Sequence, residues 1–131
     1  TLPLAKRFDT IIGVEGSEAS IDLARANAAG NGISNAEFVQ SSVKSFVASR
    51  AARDADLVLL DPPRSGTEKG TIELLAELRP KAISYVSCDP SMLARDLREL
   101  VDAGYELDGL KAFDLFPQSH HVETVAKLSR N

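Results

Sequence analysis

Sulfur and large aromatic side chains are scarce in this sequence. Among its 131 residues there is one cysteine and no tryptophan, and aromatic residues make up 5%. A single cysteine excludes an internal disulfide framework and is typical of a reducing compartment, so we expect a cytoplasmic protein stabilised by its core. No apolar run is long enough to cross a bilayer, so no membrane contact is predicted.

Positive charge is also in short supply. The sequence has 15 Lys and Arg against 19 Asp and Glu, which gives a net charge of -4. Affinity for RNA rests largely on neutralising phosphates. If the substrate is RNA, we therefore expect basic surface elsewhere in a longer parent protein to supply most of the binding.

What is present is a regular alternation of strand and helix patterns. Strands are predicted at 10–15, 37–40, 56–60 and 82–87, helices at 17–30, 43–51, 68–78 and 89–103, and two consecutive strands at 105–115 and 121–129. Alternating strands and helices imply a parallel sheet, and the closing pair implies a hairpin with one antiparallel strand. The predicted fold class is therefore α/β and Rossmann-like.

One part of such a domain has no counterpart in the sequence. The chain starts at Thr1 as if midway through a helix, and it contains no GxGxxG. Gly13-Val14-Glu15-Gly16 has the pattern of a strand end rather than of a phosphate loop. We therefore expect residues 1–131 to be a partial catalytic domain that lacks the first strand and the glycine-rich turn.

Four reactive side chains are expected at one edge of this sheet. Glu15, Asp61 and Cys88 each follow or end a predicted parallel strand. Ligands of open α/β sheets bind at these carboxyl ends. Glu123 comes early in the last strand, and an antiparallel strand starts where parallel strands finish, so it belongs to the same edge.

Each of these residues also has a purely structural interpretation. Cys88 could be a small buried hydrophobe, although Asp89 and Pro90 predict a helix N-terminus beside it, which favours a thiolate. Glu123 could be a solvated surface charge. Glu15 could cap the following helix, and Asp61 could cap the turn before two prolines.

Four stretches together resemble one enzyme family. They are Gly13-Val14-Glu15-Gly16-Ser17, Leu60-Asp61-Pro62-Pro63-Arg64-Ser65-Gly66, Val86-Ser87-Cys88-Asp89-Pro90 and Phe116-Pro117-Gln118-Ser119-His120-His121-Val122-Glu123-Thr124. In content and order they are similar to the RNA 5-methyluridine methyltransferases, across essentially the whole chain. The resemblance implies an S-adenosyl-L-methionine-dependent methyltransferase fold and methylation of C5 of a uridine in ribosomal or transfer RNA.

The resemblance also implies roles for particular residues. Cys88 would be the nucleophile that adds to C6 of the uridine, and Glu123 the base that removes the C5 proton. Glu15 and Asp61 would lie on the cofactor side, and Arg64 would bind the substrate base or a phosphate. Ser42 stands where the family commonly carries Asp or Asn against the adenine, so that contact is expected to be weaker.

Other features complete the expectations. No metal is implied, and His120 and His121 are expected to be scaffold residues or hydrogen-bond partners. Two rival functions remain open: an amino-group methyltransferase in which Cys88 is structural, and an inactive fragment or interaction module. The isolated chain is expected to be inactive.

Overall fold

The computed structural model describes residues 1–53, 55–115, 117–119 and 122–130. Its strands are β1 (Ile11–Glu15), β2 (Ala36–Gln40), β3 (Leu57–Leu60), β4 (Ala82–Ser87), β5 (Glu106–Phe113) and β6 (Glu123–Ser129). Its α-helices are α1 (Glu18–Gly30), α2 (Val43–Ala48), α3 (Thr71–Leu78) and α4 (Pro90–Asp102), preceded by a 3-10 helix at Leu2–Lys6. The chain divides into two compact units, Thr1–Ser49 and Arg50–Asn131.

The first unit is a two-stranded parallel sheet with one long helix. β1 pairs with β2 from Ile11↔Ala36 to Glu15↔Gln40. The core of this unit is formed by Ile21 and Ala28 of α1 with Phe38 of β2. These apolar residues of α1 are seven positions apart and so lie on one face of the helix, as the helical spacing predicts.

The second unit is a four-stranded sheet in the order β3-β4-β6-β5. β3 and β4 are parallel, and β6 is antiparallel to both β4 and β5. β6 is thus the one strand that opposes the direction of the other three in this sheet. The predicted α/β class, with a closing hairpin and a single antiparallel strand, is confirmed.

Helices α3 and α4 supply the apolar side of the second core. Ile72, Leu75 and Leu78 of α3 are each no more than 5% exposed, which confirms the apolar face predicted from their spacing. Leu93 and Leu100 of α4 are equally buried. Within the described ranges, no helix is long and apolar enough to cross a membrane.

Two predicted helix boundaries are wrong. The helix predicted at 68–78 begins only at Thr71, because Gly70 adopts a left-handed conformation (φ 85°) that a helix cannot include. The helix predicted at 43–51 ends at Ala48, and the backbone turns left-handed at Arg50 (φ 60°). In both cases a single positive φ ends or delays a helix.

Candidate active site

Three of the predicted site residues lie at one edge of the four-stranded sheet. β3 ends at Leu60 and is followed by Asp61, and β4 ends at Ser87 and is followed by Cys88. Glu123 is the first residue of β6, which runs in the opposite direction, so it lies at this same edge.

Cys88 and Glu123 lie next to the last paired residues of β4 and β6. Ser87 is the last residue of β4 in the ladder, and it pairs with Thr124. Cys88 follows Ser87 and Glu123 precedes Thr124, so both residues lie at the same end of this strand pair. Both side chains are half-buried.

The turn that carries Cys88 is held by a compact set of hydrogen bonds. Ser87 Oγ accepts from the Asp89 N–H (3.1 Å) and donates to the Asp89 carbonyl (3.0 Å). Asp89 caps α4, since its Oδ1 accepts from the backbone N–H groups of Ser91 (2.8 Å) and Met92 (3.1 Å). Cys88 is a free thiol between these two anchors. The predicted cap at Asp89 and first helical position at Pro90 are confirmed.

The loop that follows β3 presents exposed polar side chains. Asp61 and Arg64 are both exposed. Residues 63–66 form a tight turn before α3, in which the Gly66 N–H donates to the Pro63 carbonyl at 2.8 Å. Gly66 is itself buried and has a φ of 77°. The loop therefore turns inward directly after Arg64.

A buried carboxylate on α4 receives hydrogen bonds from several elements. Asp96 is 1% exposed. Its Oδ2 accepts from Tyr85 Oη (2.5 Å), Thr67 Oγ1 (2.9 Å) and the Thr67 N–H (3.5 Å). Its Oδ1 accepts from Arg95 Nε (2.7 Å) and forms an ion pair with Arg95 Nη2 (2.6 Å). Tyr85 is on β4 and Thr67 is in the loop after β3, so Asp96 joins three segments of the unit.

The ionisation states in this cluster favour the hydrogen bonds. Burial raises the pKa of Tyr85 far above its usual range, and its hydrogen bond to Asp96 adds to the effect. The Asp96 carboxylate in turn raises the pKa of Arg95 through a hydrogen bond and its charge. At neutral pH, Tyr85 therefore stays a hydrogen-bond donor and Arg95 stays a cation.

In the first unit, Glu15 ends β1 and is exposed. Its Oε1 accepts from the Ser17 N–H at 2.9 Å, which is the helix-side contact expected of a capping acid. Within the described part of the chain, its Oε2 accepts no hydrogen bond. The carboxylate is therefore oriented by the backbone and keeps an open oxygen.

Ser42 lies in the first unit as well, where it caps α2. Its Oγ accepts from the Ser45 N–H (3.1 Å) and donates to Ser45 Oγ (2.9 Å). The hydroxyl proton is thus used locally, and one lone pair of the oxygen is left. His120 and His121 lie outside the described residues.

Comparison with known proteins identifies the group to which this sequence belongs. The sequence profile of the tRNA (uracil-5-)-methyltransferases matches residues 1–131. The chain belongs to this family. The four motifs indicated that membership correctly.

Two bacterial proteins are similar in sequence to this chain. A protein of Alkalilimnicola ehrlichii named 23S rRNA (uracil(1939)-C(5))-methyltransferase RlmD is 45% identical over 133 residues, covering 99% of this chain and 30% of that protein. A protein of the same name from Shewanella sediminis is 42% identical, with 96% of this chain and 28% of that protein covered. The chain thus spans less than a third of these relatives.

Solved structures show the same fold. The Pyrococcus abyssi tRNA (uracil-54, C5)-methyltransferase, in complex with S-adenosyl-L-homocysteine, is 38% identical with a TM-score of 0.79, over 95% of this chain and 30% of that one. NSun6 from Pyrococcus horikoshii is 18% identical with a TM-score of 0.72, over 92% of this chain and 41% of that one, and it shows the fold alone. The predicted Rossmann-like methyltransferase fold is confirmed.

Asp96 is the site-adjacent residue that the sequence analysis missed. It lies between Leu93 and Leu100 on the buried face of α4. An acid at an apolar position of an amphipathic helix is the signal that could have pointed to it, because a charge is rarely buried without partners. Nothing local in the sequence names those partners.

Proposed function

We propose that the protein methylates C5 of a uridine in ribosomal or transfer RNA, with S-adenosyl-L-methionine as methyl donor. The observation that carries the proposal is that Cys88, after β4, and Glu123, at the start of β6, lie at the same edge of the sheet. Membership of the uracil-5-methyltransferase family and the names of its relatives support the substrate class.

Cys88 serves as the nucleophile in this proposal. Carbon 5 of uracil is a feeble nucleophile, so covalent activation is needed before it can accept a methyl group. The thiolate forms a bond to C6, and the electrons of the C5–C6 double bond move towards C5 and O4. The helix N-terminus that Asp89 caps lies beside the thiol.

Glu123 serves as the base that completes the reaction. After methylation, C5 carries both a methyl group and the original hydrogen. Removal of that proton by the carboxylate returns the electrons to the C5–C6 bond and expels the Cys88 thiolate. A general base must lie near the proton it takes, and a position at the same sheet edge as the nucleophile supports that role.

The cofactor supplies an electrophilic methyl group on a sulfonium when it is bound. Glu15 fits the ribose end of that molecule, because its oriented and exposed carboxylate keeps an oxygen that can accept from a hydroxyl. The remaining lone pair of Ser42 can accept from the adenine amino group. Asp61 is assigned to the cofactor side and Arg64 to the RNA.

The activity is proposed for a longer protein that contains this chain. The net charge of -4 is unfavourable for RNA binding. Relatives are more than three times as long as the matched region, as their 28–30% coverage shows. We therefore propose that residues 1–131 are part of a catalytic domain and that sequence outside them supplies basic surface and completes the cofactor site.

The test uses RNA carrying 5-fluorouridine, because fluorine at C5 cannot leave as a proton. The complete protein, meaning this chain with whatever its gene encodes on either side, is incubated with cofactor and this RNA. We expect a covalent band on denaturing electrophoresis that is lost in Cys88→Ala. The 131-residue chain alone is expected to give no band.

Glu123→Gln tests the base separately. With ordinary uridine RNA, this variant is expected to accumulate the methylated adduct, because the C5 proton stays in place. Glu106→Gln is the matched control, since Glu106 pairs with Ser129 at the opposite end of the same sheet. Methyl transfer to RNA without any cysteine adduct would contradict the proposal and favour an amino-group methyltransferase in which Cys88 is structural.

A further inference from the structure

The middle of the loop between β3 and α3 is hydrogen-bonded to α4, the helix that follows β4 in the sequence. Thr67 lies six residues after Asp61 and three after Arg64. Both its hydroxyl and its backbone N–H donate to Asp96 Oδ2, at 2.9 and 3.5 Å. These bonds cross 29 residues of sequence and tie the loop to α4.

The same carboxylate is fixed from the strand side. Tyr85 Oη donates to Asp96 Oδ2 at 2.5 Å, and Tyr85 is fully buried three residues before Cys88. Arg95 holds the other oxygen through two guanidinium nitrogens. Asp96 is therefore a rigid junction between the strand that carries Cys88 and the loop that carries Asp61 and Arg64.

The loop backbone fits closely against α4 at the residue before Thr67. A Cβ built on Gly66 would lie 2.7 Å from Arg95 Nη2 and 3.3 Å from Met92 Cβ. Glycine is the residue that allows this approach, and its φ of 77° suits glycine as well. The close approach of Gly66 and the hydrogen bonds of Thr67 thus hold the same short segment.

We propose that Asp96 is a positioning residue, which holds the loop after β3 in register with the edge where Cys88 and Glu123 stand. The proposal rests on the proposed function for what is positioned, namely the cofactor-side carboxylate of Asp61 and the RNA-binding guanidinium of Arg64. Asp96 acts through Thr67 and does not itself touch the reacting atoms.

If residue 96 served only to stabilise the core, an apolar side chain would be expected there. A well-packed apolar side chain stabilises a core at least as well as a buried ion pair does. The carboxylate is useful because it can bind a hydroxyl from β4 and a hydroxyl from a half-exposed loop residue at once. The contact to Thr67 adds little to the core, but it fixes where the loop runs.

The experiment removes the loop's side-chain contact and leaves Asp96 and the core intact. Thr67→Val deletes the hydroxyl with little change in shape, and Thr67→Ser retains it as a rescue variant. Thr71→Val is the matched control, since the buried Thr71 hydroxyl has no hydrogen-bond partner among the described residues. All are made in the complete protein.

Two readouts are measured on each variant. Hydrogen exchange of peptides covering 61–70 is expected to speed up about tenfold in Thr67→Val, because a hydrogen bond to a charged group is lost. The rate constant for forming the 5-fluorouridine adduct at saturating RNA is expected to fall about tenfold as well. Thr67→Ser and Thr71→Val should match the parent in both.

The outcomes separate this proposal from the proposed function. Faster loop exchange with an unchanged adduct rate would overturn positioning, and so would equal losses in Thr67→Val and Thr67→Ser. Unchanged loop exchange in Thr67→Val would show that Asp96 does not anchor the loop. A parent protein that gives neither adduct nor methyl transfer would refute the proposed function, while the exchange data would still decide whether the anchor exists.

Discussion

The hydrogen bond between Tyr85 and Asp96 makes a quantitative prediction about stability. Tyr85→Phe deletes one hydroxyl and leaves the ring in the core. Since the acceptor is an anion, the loss is expected to be about 2 kcal/mol. Burial and the bond to Asp96 raise the pKa of Tyr85, so the donor is present throughout the neutral range.

Asp96→Ala is expected to cost more than Tyr85→Phe. Breaking a buried ion pair by removing one partner typically costs about 3–5 kcal/mol. Here the lower end applies, because the Arg95 side chain is 45% exposed and can be hydrated when left alone. The larger share of the cost comes from the Tyr85 hydroxyl, which would be buried without an acceptor.

The double variant separates the pair from its surroundings. Once Asp96 is alanine, removing the Tyr85 hydroxyl no longer breaks a bond and even relieves an unsatisfied group. The double variant should therefore cost about 1.5 kcal/mol, less than Asp96→Ala alone and below the sum of about 5, which is a coupling energy of about 3.5 kcal/mol. Urea unfolding followed by far-ultraviolet circular dichroism measures all four proteins.

Tyr105 provides the matched control for this cycle. Its buried hydroxyl donates to the Pro80 carbonyl at 2.9 Å and does not contact Asp96. Tyr105→Phe combined with Asp96→Ala should be additive within about 0.5 kcal/mol. If the Tyr85 cycle is equally additive, the hydrogen bond does not contribute as argued, and the Asp96 junction would lose its strand-side support.

Two further predictions concern the same unit. Burial raises the pKa of the Glu99 carboxyl, and the charges of Glu73 and Asp96 add to the effect. Ionised Glu99 therefore lowers the free energy of unfolding at pH values above the pKa of the unfolded chain, and the protonated group has no such effect at lower pH. Glu99→Gln should raise the thermal midpoint at neutral pH and leave it unchanged near pH ~3.5, below the usual Glu range, whereas an equal gain at both values would contradict this. Gly66→Ala should lower the free energy of unfolding by about 1–2 kcal/mol, because alanine is strained at positive φ. Gly109→Ala, with open space around the added Cβ, should cost less in the same urea titration.

The parts of the fold that follow from local chemistry could be predicted from the sequence. The cap of α4 at Asp89 and the proline after it are local features, and so is the apolar spacing that identifies α3. The order of strands and helices then implies which strand ends meet. The placement of Asp61, Cys88 and Glu123 at one sheet edge follows from that topology, while the chemical roles of these residues stay predictions.

The parts that depend on distant contacts could not be predicted. The late start of α3 reflects the left-handed conformation of Gly70, and the loop before it is hydrogen-bonded through Thr67 to Asp96, 29 residues away. The Glu68 to Gly70 segment has an acceptable helical pattern, so periodicity alone extends the helix too far. Asp96 itself belongs to an amphipathic helix in which its position predicts an apolar residue.

The contrast between Asp96 and Glu123 shows why a proposed catalytic residue can be predicted from the sequence more easily than a positioning residue. A carboxylate has about four acceptor sites, and Asp96 receives hydrogen bonds from Tyr85, from Arg95 and from two groups of Thr67. Asp96 is 1% exposed and so out of reach of a substrate, and it can therefore act only through the groups it holds. Glu123 is half-buried at the start of β6, at the sheet edge where β4 ends. A base needs a carboxylate oxygen that is open to the substrate at an accessible sheet edge, and the order of strands predicts which residues lie there. A positioning carboxylate needs hydrogen-bond donors in the interior, and only the folded structure shows which distant residues supply them.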